Sequence, residues 1–390
     1  MGELHMTTRL YDTDSHLREF TAAVLRCEPA GARWRVVLDR TAFFPEGGGQ
    51  PADTGALNGA AVTDVQEESG EVAHYTDAPL EPGTTAHGVI DWGKRFRRMQ
   101  AHTGEHIVSG LVHTHYGYRN VGFHLGDETV TMDYDGELTW EQLMEIERLA
   151  NEAVWRDVPV RIEYPAPEAL VKMTYRSKLD LRENVRIVTV EGYDVCACCA
   201  PHVSRTGEVG AIKIVDSMRH RGGVRLTILC GADAQADYAL RHAQVASLSH
   251  LLSVPRADVV AAAERLLREK EALERELAAR ERAHTMQRLR DMPETPGNLC
   301  VVDAFADADA MRELVNAGMA RAGGVCAAFS GDDEAGYRYI IGSLHTDLRA
   351  RAAEINAALG GRGGGKPTMI QGSCPAKKAE IEAFFETFQA

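Results

Sequence analysis

Apolar and polar positions alternate over short runs in residues 18–92: RWRVVLD, AAVTDVQ, EVAHYT and AHGVIDW are separated by turn-rich stretches. Alternation of that length, punctuated by Gly, Asp and Pro, predicts a small β-barrel or sandwich. From Arg95 the period lengthens. RRMQAHTGEHIVSGLVHTHYG places Met99, His102, His106, Val108 or Ser109, and Val112 at helical intervals. TVTMDY then reads as a strand, TWEQLMEIERLANEAVWRD as an amphipathic helix, and PVRIEYP as a strand; Thr139 with Gln142 forms a capping box at that helix's start. VRIVTVEGYDVCAC, VGAIKIVDSMR and VRLTILCG supply further strands. Strands and helices do not simply alternate, so this unit is α+β.

Pro255 closes it, and residues 256–290 read as one charged helix in which Val259, Leu266 and Leu273 stand seven apart, with Leu277 four further on. A short coiled-coil arm follows from that spacing. The last stretch alternates strand and helix as a small α/β domain. The expected class is therefore multidomain α+β: a β-barrel at 1–94, an α+β domain at 95–250, a helical arm at 251–293 and an α/β domain at 294–390. Arm and last domain are the expected contacts of a homodimer, or a grip on a larger partner.

Composition adds little until the cysteines are placed. There are eight, and three fall together at Cys196, Cys198 and Cys199, a clustering that points to metal before disulfides. The start has no basic segment leading into an apolar run, and nowhere do about 18 apolar residues run unbroken, so a cytoplasmic, non-membrane protein is expected. The net charge of −14 argues against an overall nucleic-acid surface. Lys94, Arg95, Arg97 and Arg98, and again Lys213, Arg219, Arg221 and Arg225, nevertheless cluster locally, so charge alone decides nothing.

His102-Thr-Gly-Glu-His106 places two imidazoles one helical turn apart on the same face. Cys198-Cys-Ala-Pro-His202 follows a strand. Together they offer three nitrogens and one sulfur, a set suited to tetrahedral Zn2+. Cys196 and Cys199 are rival thiols with less helpful spacing to His202. The same residues also read as HxxEH, the inverted zinc-metallopeptidase motif, with Glu183 as a downstream carboxylate ligand; that alternative leaves Cys198 and His202 without a task. A third reading is a non-catalytic binding protein whose four-ligand zinc is structural.

Several stretches together resemble one family, the alanyl-tRNA editing proteins and the matching part of alanyl-tRNA synthetase. Thr41-Ala-Phe-Phe-Pro-Glu-Gly-Gly-Gly-Gln50-Pro-Ala-Asp-Thr-Gly55 is similar to the family's Gly-rich barrel segment, and the two pairs match its HxxxH and CxxxH motifs. Thr206 to Ile214 and Arg221-Gly-Gly-Val-Arg225 resemble the strands that follow. Gly360-Gly-Arg362-Gly-Gly-Gly-Lys366-Pro resembles the glycine-rich signature of the DHH-associated C-terminal domain. The synthetase has Gly-Gly-Thr where this chain has Cys199-Ala-Pro, and no class II charging module is recognised.

The resemblance implies a zinc-dependent deacylase acting on mischarged alanine tRNA, Ser-tRNA(Ala) and also Gly-tRNA(Ala), with His102, His106, Cys198 and His202 at the metal. A site that accepts serine and refuses alanine needs a polar group for the hydroxyl; Thr41, Gln50, Thr103 and His124 are the candidates. Gly47, Gly48 and Gly49 could let the backbone approach the terminal adenosine, since glycine adopts positive φ and has no side chain; a barrel turn needs the same freedom. Arg221, Arg225, Arg362 and Lys366 are candidate tRNA contacts, the last two on a Gly360–Lys366 loop. Glu105 reads either as a proton shuttle or as a solvated helix carboxylate.

Overall fold

The computed structural model describes residues 6–126, 129–177, 184–303 and 307–389 of the 390. The chain is mixed α+β, and its contacts divide it into two compact units, Met1–Ala246 and Ser247–Ala390. Among the described residues no helix is long and apolar enough to cross a membrane.

In the first unit six antiparallel strands, Glu19–Ala30, Arg33–Leu38, Glu71–Thr76, Ala60–Glu68, Gly55–Leu57 and Thr85–Ile90, pair in that order and the last returns to the first, closing a barrel. The period-two pattern does this work. Phe20, Ala22 and Val24 point inward from one strand, Ala86, Gly88 and Ile90 from its neighbour, while the alternate residues Thr21, Ala23, His87 and Val89 face water.

A 25-residue helix, Trp92–Tyr116, leaves the barrel. Asp91 caps its start by accepting from the Lys94 amide, and Gly117 at φ 73° ends it in the left-handed conformation. Every residue from Arg98 to Val112 is buried, so the helix predicted from its spacing is a central post. A four-stranded antiparallel sheet in the order Ile212–His220, Gly223–Cys230, Val130–Tyr134, Asn120–Leu125 lies against it, with the capped helix Trp140–Arg156. A three-stranded sheet, Val160–Glu163, Ile187–Val190, Asp194–Ala197, completes the unit. Gly110 makes its approach feasible: a Cβ there would stand 2.3 Å from the Tyr193 carbonyl oxygen.

Barrel and helix are tied by a buried ion pair. Arg95, fully buried, donates to Asp53 in the Gly-rich segment through Nε at 2.8 Å and through Nη2, and to the Ser15 carbonyl at 3.1 Å. Arg98 is also buried and donates to the Ala52 carbonyl at 2.6 Å. Two of the four cations in the first basic cluster are thus interior clamps.

In the second unit Val259–Asp291 is a single 33-residue helix. Leu266, Leu273 and Leu277 are exposed along it, and Glu264–Arg268, Arg265–Glu269 and Lys270–Glu274 pair one turn apart. A five-stranded sheet follows, ordered Leu299–Val302, Cys326–Asp332, Gly336–Gly342, Met369–Cys374, Arg362–Lys366. Its edge corrects the expected Gly360–Lys366 loop: Arg362–Lys366 is a strand paired along its length with Met369–Cys374. A run of glycines carries no apolar period, and backbone pairing alone defines it. Gly231–Leu252 is a further helix, which the sequence reading left unassigned because its alanines and leucines keep to no single face.

Candidate metal centre

His102 and His106 project from the buried post and are 3% and 2% exposed. Cys198 follows directly on the strand Asp194–Ala197, and His202 lies four residues on. Arg186 shapes that turn by donating to the Cys198 and Ala200 carbonyls at 2.8 and 2.9 Å. One ligand atom from each of His102, His106, Cys198 and His202 lies within 4.8 Å of all the others. Cys198 Sγ stands 3.4 Å from Nε2 of His102 and 3.4 Å from Nε2 of His202. Two segments ninety residues apart therefore meet at one point.

The far nitrogen of each ring is held by a different partner. His102 Nδ1 is 3.0 Å from Gln50 Oε1, His106 Nδ1 is 2.9 Å from Asp194 Oδ2, and His202 Nδ1 is 3.0 Å from Thr103 Oγ1. The contacts at His102 and His202 are hydrogen bonds and that at His106 is a close approach to a carboxylate; a proton on Nδ1 of each ring would leave the lone pair on Nε2, the nitrogen that faces the cluster. Asp194 is gripped in turn by Arg176 through two 2.7 Å hydrogen bonds. Burial opposes ionisation of Cys198, yet His102 and the contacts from all three imidazoles hold its thiol well below the usual range. Burial drives His202 down to about 3, so it stays neutral. His106 is held well above its usual value, against the pull of burial, by Cys196 and Asp194. Burial pushes Cys196 and Cys199 up to about 11. Cys196 joins His106 and Asp194 in a second potential metal cluster, but Asp194 is already engaged by Arg176 and reads as the orienting carboxylate. Three imidazole nitrogens and one sulfur are a donor set that fits Zn2+.

The cluster lies in the wall of a cavity of about 890 Å³ whose lining includes Phe44, Gly47, Gly48, Glu105, Phe123 and Tyr164. The triglycine turn packs closely. A Cβ on Gly48 would stand 3.3 Å from Cys199 Sγ, and one on Gly49 would stand 2.8 Å from the Phe123 carbonyl oxygen.

The four residues expected to receive a serine hydroxyl are placed otherwise. Thr41 lies inside the barrel with Oγ1 2.7 Å from His74 Nε2. Gln50 and Thr103 hold imidazoles. His124 is exposed on the strand Asn120–Leu125, and its neighbour Phe123 turns toward the site, with its ring centroid 4.7 Å from that of His102; alternate residues of a strand face opposite ways. Glu105 is buried, at 5% exposure, which corrects the solvated-carboxylate alternative. Among the basic candidates Arg225 forms a bidentate pair with Asp133 at 2.6 and 2.8 Å, whereas Arg221, Arg362 and Lys366 are exposed. Glu183 lies outside the described residues. Asp194, Arg176 and Phe123 were not singled out from sequence, since nothing in their spacing marks them.

Comparison with known proteins first defines the class. Residues 185–226, which carry Cys198 and His202, match the threonyl and alanyl tRNA synthetase second additional domain, and residues 297–390 match the DHHA1 domain. Residues 15–94 match the class II (A) tRNA synthetase model; where no class II resemblance had been recognised, one does exist, and it falls on the barrel. The chain is 27% identical over 406 residues to alanyl-tRNA editing protein Aarsd1 of Mus musculus, covering 97% of each. It is 33% identical over 237 residues to alanyl-tRNA editing protein AlaX-L of Pyrococcus horikoshii, covering 58% of each. It is 34% identical over 402 residues to the alanine–tRNA ligase of Natronomonas pharaonis, covering 96% of this chain and 43% of the ligase. The chain is thus related to the alanyl-tRNA editing proteins and to the matching part of alanine–tRNA ligase.

Proposed function

We propose that this protein is a zinc-dependent hydrolase that frees tRNA(Ala) of wrongly attached serine and glycine by cutting the ester to the terminal adenosine. One observation carries the reading: His102, His106, Cys198 and His202 converge on a single point beside a cavity, in a chain whose relatives are named alanyl-tRNA editing proteins. A charging site shaped for alanine rejects glycine and serine poorly, so a separate hydrolytic site is needed.

Zinc held by the four side chains would supply a Lewis acid for the ester carbonyl. The chain supplies orientation. Gln50, Asp194 and Thr103 fix the three rings, and Phe44 and Phe123 give the cavity apolar wall that limits water. Gly47 and Gly48 leave room for the ribose. Exposed Arg221, Arg362 and Lys366 are the proposed tRNA-facing cations; Arg225 contributes through its pair with Asp133. The helix Val259–Asp291 and the following domain are assigned to tRNA or to a second copy of the chain.

The deciding assay is release of serine from Ser-tRNA(Ala), compared with alanine from Ala-tRNA(Ala). The protein should release serine selectively, and Cys198→Ala or His102→Ala should reduce release to the uncatalysed rate. Full turnover by either variant sinks the proposal. A second reading, zinc as a purely structural element of a tRNA-binding protein, draws on the same geometry, because four converging side chains resemble the closed shell of structural sites. Zinc-loaded protein that releases no serine would leave that reading standing.

A further inference from the structure

Glu105 sits between the two histidines of the post and takes no part in the metal cluster described above. Its Oε1 accepts from Ser109 Oγ at 2.6 Å and from Asn120 Nδ2 at 2.7 Å. Ser109 is itself 2.8 Å from the Tyr134 hydroxyl. Two donors on one oxygen set the rotation of the carboxylate and leave its other oxygen pointing elsewhere. Oε2 receives no hydrogen bond from the described residues, lies 3.8 Å from His106 Nε2, and belongs to a residue that lines the cavity. The nearest cations, Arg176 and His106, feel the Glu105 charge, but Arg176 gives its hydrogen bonds to Asp194 and His106 lies beyond hydrogen-bond distance of Oε2. A buried carboxylate thus presents one open oxygen beside the point where the ligand atoms meet. Such a group calls for a cationic partner.

An aminoacyl ester brings one. Its α-ammonium is attached one carbon away from the reacting carbonyl, so a carbonyl placed at the cluster carries the ammonium within a few bonds of it. We propose that Glu105 Oε2 receives the α-ammonium of the aminoacyl group, and that the site therefore selects esters with a free amine over N-acylated or peptidyl esters. This assignment rests on the deacylase reading and adds a specificity-determining residue to it. Charge is the basis of the discrimination: acylation removes the cation and adds bulk facing the oxygen that Ser109 and Asn120 leave open.

The test uses the full chain loaded with zinc, and two non-hydrolysable probes: 3′-deoxy-3′-(serylamino)adenosine and its N-acetyl derivative. Binding of each is measured by calorimetry for the wild type and for Glu105→Gln, a change that keeps an oxygen for Ser109 and Asn120. Zinc content is measured alongside. The wild type should favour the free amine by about 10- to 100-fold, the range of a hydrogen bond between charged groups. Glu105→Gln should bind the two probes equally and retain its zinc. An unchanged preference in the variant overturns the assignment. Loss of zinc from Glu105→Gln also overturns it, since the carboxylate would then be a metal ligand. If the wild type releases serine from Ser-tRNA(Ala) but shows no preference between probes, the ammonium assignment alone falls. If it neither releases serine nor binds either probe, the deacylase reading falls with it.

Discussion

Asp194 touches no point of the cluster's interior, yet it stands 2.9 Å from His106 Nδ1 and is clamped from behind by Arg176. Partners of that kind commonly alter metal affinity by about 10- to 100-fold when removed. Asp194→Asn should therefore weaken zinc binding by about that factor in chelator competition, while His102, His106, Cys198 and His202 remain in place. An affinity unchanged within twofold would show that the ring needs no such support. His74 makes a separate prediction within the barrel. It is fully buried, lies between Thr41 and the Val36 carbonyl, and burial drives it down to about 4. In the unfolded chain a histidine takes up its proton near pH 6.5. As pH falls from 6.5 toward 4 the unfolded state binds a proton that the native state refuses, so stability drops across that window by on the order of 2–3 kcal/mol. Urea titrations at pH 7 and pH 4.5 should show the drop, and a His74→Gln protein should show less of it. The histidines and cysteine at the cluster were legible in the sequence because HxxxH and CxxxH have a spacing. Asp194, Gln50 and Thr103 are partners by position in space, and no local pattern distinguishes them from other polar residues.

At the level of elements, the barrel and the post are separate pieces held in register by Arg95 and Asp53. Both side chains are almost completely buried, and Asp53 also accepts from the Phe44 amide at 2.7 Å. Removing one member leaves the other charged and dry. Arg95→Ala should thus cost about 3–5 kcal/mol of unfolding free energy, read from chemical denaturation. A loss below about 1 kcal/mol would mean that water enters and the clamp is dispensable. The consequence for the site is indirect: the Asp53 segment also carries Gly47 to Gln50, so the tie sets where Gln50 meets His102. The post itself was predicted correctly as a helix, but its burial on every side was not. Periodicity reports one face, whereas Gly104 and Gly110 admit close neighbours on others, Cys230 and Tyr193. The edge strand Arg362–Lys366 escaped for the opposite reason, having no side-chain pattern to report.

Across the whole molecule, the metal cluster and its cavity belong to the first unit, residues 1–246. A ligand that binds only the native state stabilises what it touches. Zinc removal by chelator should therefore increase amide hydrogen exchange in Trp92–Tyr116 and around Cys198 to His202, and leave the sheet from Leu299 to Cys374 unchanged. Uniform loosening of both units would show that they are energetically one body. The linear order of residues was enough to determine the alternating strands of the barrel, the helical post, the long charged helix and the HxxxH and CxxxH pairs, because each rests on periods or spacings of a few residues. It also carried the family resemblance. Only the tertiary structure decided that the pairs meet, that Gln50, Asp194 and Thr103 each hold one ring, that Phe123 and not His124 faces the cluster, and that Glu105 is buried with one oxygen open. Those facts depend on which surfaces pack against one another across separations of 15 to 99 residues, and the free energy of such packing is a property of the assembled core, with no counterpart in any local stretch of chain.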